Sequence, residues 1–462
     1  MVSCASFAIV ASLMIGMSQA FFLDTNNKTN VIENLNIVAK GLMDYYQGDD
    51  YGGVVGMFHS PYYWWEAGGA WGSLIDYVYY TQNDTLKPTI MAALNHQTGD
   101  DNNYIPLNQS TTEGNDDQGF WGIAVMAAAE KNFGTPDDDK KAYLALAQGV
   151  FNTMALRWDE LACGGGLRWQ IFQWNSGYDY KNSVSNGCLF HIAARLARYT
   201  GNTSYSDWAE KVYDWMTDIQ LLNNTPDFPD HWFVYDGIHA DTGGEDVCHN
   251  MTKYQWTYNQ GLFLSGCAYM YNFTGEEKWR NRTLNLLTGA EVFFNTTAWK
   301  GSWVMQEAAC QRVDNCNNDQ RSFKAYFARF LGLTLLMMPE TSDKIRKWLV
   351  DLANAAAGSC LGGTDGVTCG LDWTLGHWDG KYGLGEQMCA LEVMNNLLIH
   401  EMPPPYTADN GGTSVGNPAG GFGTKMLGTD PLKLNGGDTA GASIITALVG
   451  VSIIGAGIWL LV

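Results

Sequence analysis

The sequence is poor in positive charge, and in charge of any kind. Its 462 residues hold 27 Lys and Arg against 48 Asp and Glu, a formal net charge of −21, and only 16% of the chain is charged. Binding to nucleic acid rests on neutralising phosphates with Lys and Arg. That class of partner is therefore excluded, and the acidic balance also argues against anionic substrates. No CxxC pair and no HExxH motif occurs, so a zinc site has no support. The run DTGGED at 241–246 is rich in oxygen ligands but lacks the spacing of a calcium loop. No metal and no cofactor is expected. The histidines near a cysteine are His191 and His249, and a thiol mechanism is not expected either. From residue 21 to about 402 no long linker interrupts the chain, which predicts one domain. Strand signals are sparse; GLRWQIF and HWFVYDGI are the best of them.

Aromatic residues, by contrast, are plentiful: 18 Trp, 23 Tyr and 19 Phe. Such density fills a large core, and it also suits walls that stack on the apolar faces of sugar rings. Both ends carry processing patterns. Residues 1–20 are apolar and finish in SQA, which predicts a secretory signal peptide cleaved after Ala20, although the usual positive leader is missing. From Ile444 to Val462 the chain is apolar and uncharged, with nothing basic after it. Small residues, Asn435-Gly436-Gly437, and a polar spacer stand before that run. This order predicts a GPI-anchor signal over 436–462, removed in the mature protein; a single-pass helix is the weaker reading, because no basic flank follows. Residues 403–435 are rich in Gly, Asn and Thr and read as a flexible stalk. Sequons at Asn27, Asn83, Asn108, Asn202, Asn223, Asn250, Asn272, Asn281 and Asn295 fit a secreted chain placed outside the plasma membrane. Of ten cysteines, Cys4 lies in the signal peptide. Most of the others should pair in an oxidising compartment. Cys310–Cys316 and Cys360–Cys369 are close enough to staple loops, and the odd cysteine is expected as a buried free thiol.

Within the domain one pattern recurs. Amphipathic helical stretches begin near residues 31, 85, 139, 204, 276 and 341. Each is followed by a more apolar, small-residue stretch near 69, 116, 186, 259, 321 and 384. A helix apolar on almost every face must be buried on every side. Six buried helices, each with an amphipathic partner, predict an all-α fold, an (α/α)6 barrel or toroid of six helix pairs. Alternating directions would bring all six inner N-termini to one face. Glu66, Asp116, Asp117, Asn186, Asn259, Arg321 and Glu386 would then converge on one cleft. Its walls would be the long loops 157–185 and 223–258, with Trp169, Trp174, Tyr178, Trp232, Tyr235, Asp236, Trp256 and Tyr258.

The segment EGNDDQGFWG sets two carboxylates, Asp116 and Asp117, side by side at the start of one inner helix. Asp at a helix start is often only a cap for orphan backbone N–H groups. A carboxylate pair on the floor of an aromatic cleft is also what carbohydrate cleavage requires. Retention needs two carboxyls about 5 Å apart, one to attack C1 and one to protonate the leaving oxygen.

The motifs YYWWEAGGAWG, NDDQGFWG, GGLRWQ, YDGI and YNQGLFLSG, in this order, resemble glycoside hydrolase family 76, the α-1,6-mannanases, and within it the fungal GPI-anchored Dfg5/Dcw1-type branch. The resemblance covers about residues 21–400. It implies an (α/α)6 barrel as catalytic domain over 21–402, with Asp116 as nucleophile and Asp117 as general acid/base of a retaining enzyme. It also implies a mannose-containing glycan, the GPI glycan or α-1,6-mannan, as donor, and β-glucan as an acceptor to which GPI-anchored proteins are moved. A hydrolytic endo-α-1,6-mannanase and a non-catalytic, carbohydrate-binding wall protein are the alternatives. Trp64, Trp65 and Trp121 are expected to stack on mannose or to pack helix bases. Asn186, Asn259 and Gln260 are expected to hold sugar hydroxyls or to cap helices. Asp236, Tyr258 and Asp372 complete the expected substrate contacts.

Overall fold

The computed structural model describes residues 21–421, other than 110–111, 137, 241–247 and 300, together with 446, 448 and 449. The expected signal peptide, the 422–435 part of the stalk, the anchor signal apart from those last three residues, and the run at 241–246 lie outside the described residues.

Among the described residues twelve α-helices alternate in character: α1 (Lys28–Met43), α2 (Trp64–Thr81), α3 (Lys87–His96), α4 (Asn115–Glu130), α5 (Tyr143–Leu156), α6 (Ser183–Thr200), α7 (Thr203–Asp218), α8 (Thr257–Thr274), α9 (Glu277–Gly289), α10 (Asn318–Met337), α11 (Ser342–Ser359) and α12 (Leu384–Asn395). The even-numbered helices are buried along almost their whole length. Their Gly and Ala residues let neighbours approach closely; a side chain at Gly69 of α2 would collide with the Tyr326 hydroxyl of α10. The odd-numbered helices are one-sided except α5, which is buried from Tyr143 to Met154. In α7, Tyr205, Ala209, Val212, Tyr213 and Met216 face the core at helical spacing while the other face is polar. Packing follows chain order: α2 lies on α4, α4 on α6, α6 on α8, α8 on α10, α10 on α12, and α12 returns to α2. The result is a mostly helical barrel whose buried helices contact one another in a closed cycle.

The far halves of these inner helices meet in a buried charge cluster to which each contributes. Arg195 (α6) pairs with Glu130 (α4) at 2.6 Å, and the Tyr269 hydroxyl (α8) donates to the same carboxylate at 3.1 Å. Arg329 (α10) donates through Nε to Glu392 (α12) at 2.8 Å and lies 3.6 Å from Asp76 (α2). Lys131 reaches Asp76 at 2.9 Å.

Strand structure is richer than expected. β1 (Tyr180–Asn182), β2 (Leu222–Thr225) and β4 (Cys248–Gln255) all pair antiparallel with the long β3 (Phe228–Ala240), and a second, two-residue pair joins β5 (Phe294–Asn295) to β6 (Val304–Met305). HWFVYDGI falls within β3, so the segment read as a wall loop over 223–258 is largely sheet. GLRWQIF is not a strand. Its backbone is tied irregularly to the start of α4 and to Tyr180, leaving one isolated bridge between Gly114 and Gln170.

Three disulfides form: Cys310–Cys316 and Cys360–Cys369 as expected, and Cys163–Cys248, which ties the 157–182 segment to β4 across 85 residues. Among the described residues three cysteines, not one, stay free and buried: Cys188, Cys267 and Cys389. Each sits on an inner helix and packs as a small apolar residue.

Residues 403–421, expected as the first part of a flexible stalk, instead run along the barrel. Tyr406 N–H donates to the Glu130 carbonyl, Thr413 N–H to Asn132, Asn417 N–H to Gln148, and Asn152 Nδ2 to the carbonyls of Pro418 and Gly420. A segment with little apolar surface can dock when side-chain amides accept and donate to its backbone. Composition alone did not reveal those partners.

Candidate active site

The starts of five inner helices line one cavity of about 520 Å³. α4 supplies its floor. Gly114 caps α4 in an extended conformation, and its N–H donates to Asp117 Oδ2 at 2.7 Å. A side chain there would collide with the Asp116 carboxylate, which is why this position is glycine. Asn115 locks the floor to the 167–171 segment: its Nδ2 donates to the Arg168 carbonyl at 2.9 Å, and its N–H to the Trp169 carbonyl at 2.8 Å. Arg157 lies beneath, donating to Asn115 Oδ1 at 2.7 Å and to Gln118 Oε1.

Asp116 and Asp117 both open into this cavity and retain some surface there, although protein surrounds them. Asp116 Oδ2 accepts from Asn182 Nδ2 at 3.4 Å, while its Oδ1 has no hydrogen-bond partner. No cation pairs with either carboxylate among the described residues. Burial pushes both up from the ordinary carboxylate range. The charge of Asp117 raises Asp116 further; Asp117 itself reaches about 7, restrained by the Gly114 N–H it accepts. Two such neighbours hold one proton between them near neutral pH. Glu113, fully buried with both oxygens unpartnered, stands behind the pair and is raised by burial and by Asp117.

Aromatics and two further acids make the walls. Trp65 Nε1 donates to Asp319 at 3.2 Å, and its ring packs against Phe120 at 4.7 Å. Tyr258 stacks on Phe323 with centroids 3.8 Å apart. On the other side Asp236 accepts from the Tyr180 hydroxyl at 2.6 Å and from Trp256 Nε1 at 2.8 Å. Trp169, partly exposed, completes that wall.

Of the residues singled out from sequence, Trp64, Trp65, Asp116, Asp117, Asp236 and Tyr258 line the cavity, as does Trp169. Trp121 does not: it is sealed between Trp64 and Tyr104. Asn186 is spent on the backbone of Leu167 and Asn182, and Gln260 on that of Trp232, Val234 and Leu286. Asn259 is fully buried, and Asp372 caps a short 3₁₀ turn while accepting from Gln311. Arg321 and Glu386 pair with each other. Asn182, Tyr180, Glu113 and Asp319 line the cavity without having been anticipated. Asp319 opens α10 as Asp116 opens α4, and reading that helix as starting near 321 hid it. Asn182 had a legible signal too, as the N-cap before SVSNG.

A helical barrel with an unpaired carboxylate couple at the bottom of an aromatic cleft has the make-up of a glycoside hydrolase. Residues 30–409 match glycosyl hydrolase family 76, and the chain belongs to that family. It is 64% identical over 458 residues to the mannan endo-1,6-alpha-mannosidase DCW1 of Candida albicans, covering 99% of each chain, and 58% identical to that of Saccharomyces cerevisiae, covering 96% of each. Among solved structures it is similar to Dfg5 from Chaetomium thermophilum in complex with glucosamine, at 37% identity and a TM-score of 0.81, covering 88% of this chain and 98% of that one. An α-1,6-mannanase from Salegentibacter sp. HEL1_6, in an inactive double-aspartate variant bound to α-1,6-mannotriose, shares the fold at 18% identity and a TM-score of 0.61, covering 80% of this chain and 99% of that one.

Proposed function

We propose that the protein is a retaining glycosidase and transglycosylase of α-1,6-linked mannose, with Asp116 as nucleophile and Asp117 as general acid/base. The cyclic order of helix contacts supports an (α/α)6 toroid as its scaffold. One observation carries the reading: two adjacent carboxyls, unpaired with any cation among the described residues, share a cavity walled by aromatics and by Asp236 and Asp319. Burial and the charge of Asp117 raise Asp116; Asn182 and the N–H groups at the start of α4 work against that rise, toward the ionised form a nucleophile needs. Asp117, raised to about 7, can hold a proton at working pH.

In the first step the Asp116 carboxylate attacks C1, the glycosidic bond breaks, and the proton of Asp117 passes to the departing oxygen. Formation of the ester removes the charge of Asp116, so Asp117 now ionises more easily and acts as base. An acceptor hydroxyl then attacks C1, loses its proton to Asp117 and displaces Asp116. Water in that role gives hydrolysis, the endo-1,6-α-mannosidase activity for which the relatives are named. A sugar hydroxyl gives transfer. With the two ends read as a secretory leader and a GPI-anchor signal, the fitting donor is the mannose-containing GPI glycan, and the fitting acceptor is β-glucan of the wall. The protein would then act at the outer face of the plasma membrane, held by its lipid.

The test is to trap the ester. After reaction with a 2-deoxy-2-fluoro α-1,6-mannobiosyl fluoride and proteolysis, mass spectrometry should place the label on Asp116. Label on another residue, or none despite turnover of ordinary substrate, refutes the assignment.

A further inference from the structure

Residues 403–421 form a strap, and its course decides where the chain leaves the barrel. It starts at the far end of the inner helices. The Pro403 carbonyl accepts from the Tyr79 hydroxyl of α2, the Pro405 carbonyl from Arg198 of α6, and Tyr406 N–H donates to the Glu130 carbonyl at the end of α4. It then follows α5. Ser414 Oγ accepts from the Leu144 N–H at 2.9 Å, Asn417 N–H donates to Gln148 at 2.6 Å, Asn152 Nδ2 donates to the Gly420 carbonyl at 2.8 Å, and Gly421 lies against Gly149 and Thr153. α5 runs antiparallel to α4: Val150 lies against Gly122, the Thr153 hydroxyl accepts from Gln118 at 2.8 Å, and Arg157 donates to Asn115. The strap therefore ends beside the first turn of α4, one helix outward from the acid pair. We propose that, in the lipid-anchored protein, this exit turns the mouth of the cleft toward the bilayer, and that the protein acts on mannose-containing glycans standing on that same membrane. The inference rests on the anchor reading of the C-terminal run and on the glycosidase reading of the acid pair.

Three observations support it. The first is that the strap belongs to the fold. α5, YLALAQGVFNTMAL, is apolar on nearly every face, and a helix of that kind must be covered on every side. It stands in the outer set, so no second ring covers it; the strap supplies that cover along residues 144–153. The second is reach. Residues 422–435, fourteen in number, separate Gly421 from the expected anchor signal. Even fully extended they span at most about 50 Å. An inner helix such as α8, with 18 residues, is about 27 Å long. An exit at the far end would add that height between the cleft and the lipid; the strap removes it. The third is the surface. Tyr51, Leu161, Tyr254, Val313 and Tyr382, each at least 60% exposed, come from five of the six connections that lead into inner helices, and so stand around the cleft. Among the described residues the connections at the far end, 82–86, 131–142, 201–202, 275–276 and 338–341, expose no large apolar side chain. Aromatic and aliphatic side chains scattered on a rim suit the boundary between water and lipid headgroups.

The test uses the full chain carrying its lipid, in phosphatidylcholine vesicles that contain a headgroup-labelled acceptor lipid; a chain of net charge −21 gains nothing from anionic lipid. Donor dyes go one at a time on Tyr51→Cys and Leu161→Cys at the rim and on Glu277→Cys at the far end. All three positions are exposed, whereas the free thiols among the described residues are buried. Energy transfer to the bilayer should be at least about twice as efficient from both rim sites as from the far-end site. Equal transfer, or more from the far end, overturns the proposal. Turnover gives a second reading. A rigid Glu-Ala-Ala-Ala-Lys repeat of about 30 residues, inserted after Lys425, leaves the strap docked and lifts the barrel by about 45 Å. Cleavage of an α-1,6-mannotriosyl lipid in the same vesicles should then fall about fivefold or more, while cleavage of α-1,6-mannohexaose in solution stays within about twofold. Unchanged or faster cleavage of the mannosyl lipid overturns the proposal. Failure of the parent chain to stay with the vesicles would instead strike the anchor reading, and its failure to cleave either substrate the glycosidase reading.

Discussion

In the far halves of the inner helices, Asp76, Glu130 and Glu392 each face a guanidinium or ammonium within ion-pair range. At the near ends of the same helices, Asp116 and Asp117 face none, and the oxygens of Glu113 have no hydrogen-bond partner. The barrel therefore buries carboxylates twice, under opposite rules. In the charge cluster cations lie against the carboxylates, and the arrangement joins six helices; burial still lifts Glu392 to about 7, with Arg329 offsetting part of the rise. At the mouth no cation among the described residues offsets the burial of Asp116 and Asp117. The contrast lies in the partners: carboxylates tied into the fold by ion pairs, and a carboxylate pair left open to a cavity. Unsatisfied buried charge costs stability, and it persists where reactivity needs it.

The comparison breaks most forcefully at the cluster. Arg329→Met leaves Glu392 and Asp76 without their guanidinium. Loss of one partner of a buried pair costs roughly 3–5 kcal/mol, so the melting temperature of a domain this large should fall by roughly 4–6 °C. A change under 2 °C would show that the cluster holds little. A smaller loss, about 2–4 kcal/mol, is expected when Cys163 and Cys248 are both changed to Ser, which frees the 157–182 segment that braces α4. Thermal denaturation reads it, and kcat/KM should fall as well, because Arg168 and Trp169 anchor Asn115 from that segment.

The mouth should respond with the opposite sign. The value for Asp117 is raised in the folded state, to about 7 from an ordinary value near 4. The folded protein thus holds this proton more tightly than the unfolded chain. The corresponding stability is complete below about pH 4 and is lost as pH rises through about 7. Asp117→Asn should therefore raise the melting temperature by a few degrees at pH 8 and leave it nearly unchanged at pH 4; equal shifts at both pH values would show that the carboxyl titrates normally. In the active protein the same ionisation should set the alkaline limb of kcat/KM, which falls as pH rises above about 7. The smallest effect belongs to Asn182→Ser, which keeps an oxygen to cap α6 but withdraws the amide from Asp116. The lost hydrogen bond is worth about 1 kcal/mol, so kcat/KM should drop about fivefold with the fold intact.

Much of this was legible in the chain. The alternation of one-sided and all-round apolar stretches marks twelve helices, because burial on every face leaves no place for charge. The acid pair was legible because two carboxylates precede an apolar run. The walls were harder to read. Asp319 and Asn182 lie at helix starts, where Asp and Asn are ordinary caps, and only the barrel's closure brings them opposite Asp116. Trp121, Asn186 and Gln260 share that helical position with true cavity residues, but their side chains turn toward neighbouring helices or loop backbone. A one-residue difference in helical phase decides between cavity and core, and sequence spacing does not fix it. The docking of 403–421 was hidden because its partners, Asn132, Gln148 and Asn152, are scattered polar residues with no periodicity.

The most direct measurement takes turnover of α-1,6-mannooligosaccharides and the melting temperature together, at pH 8, for Asp116→Asn and Asp117→Asn. The account predicts turnover reduced at least about a thousandfold in both, with melting temperatures equal to or above that of the parent. Full turnover in either variant, or activity lost only because the protein no longer folds, would contradict it.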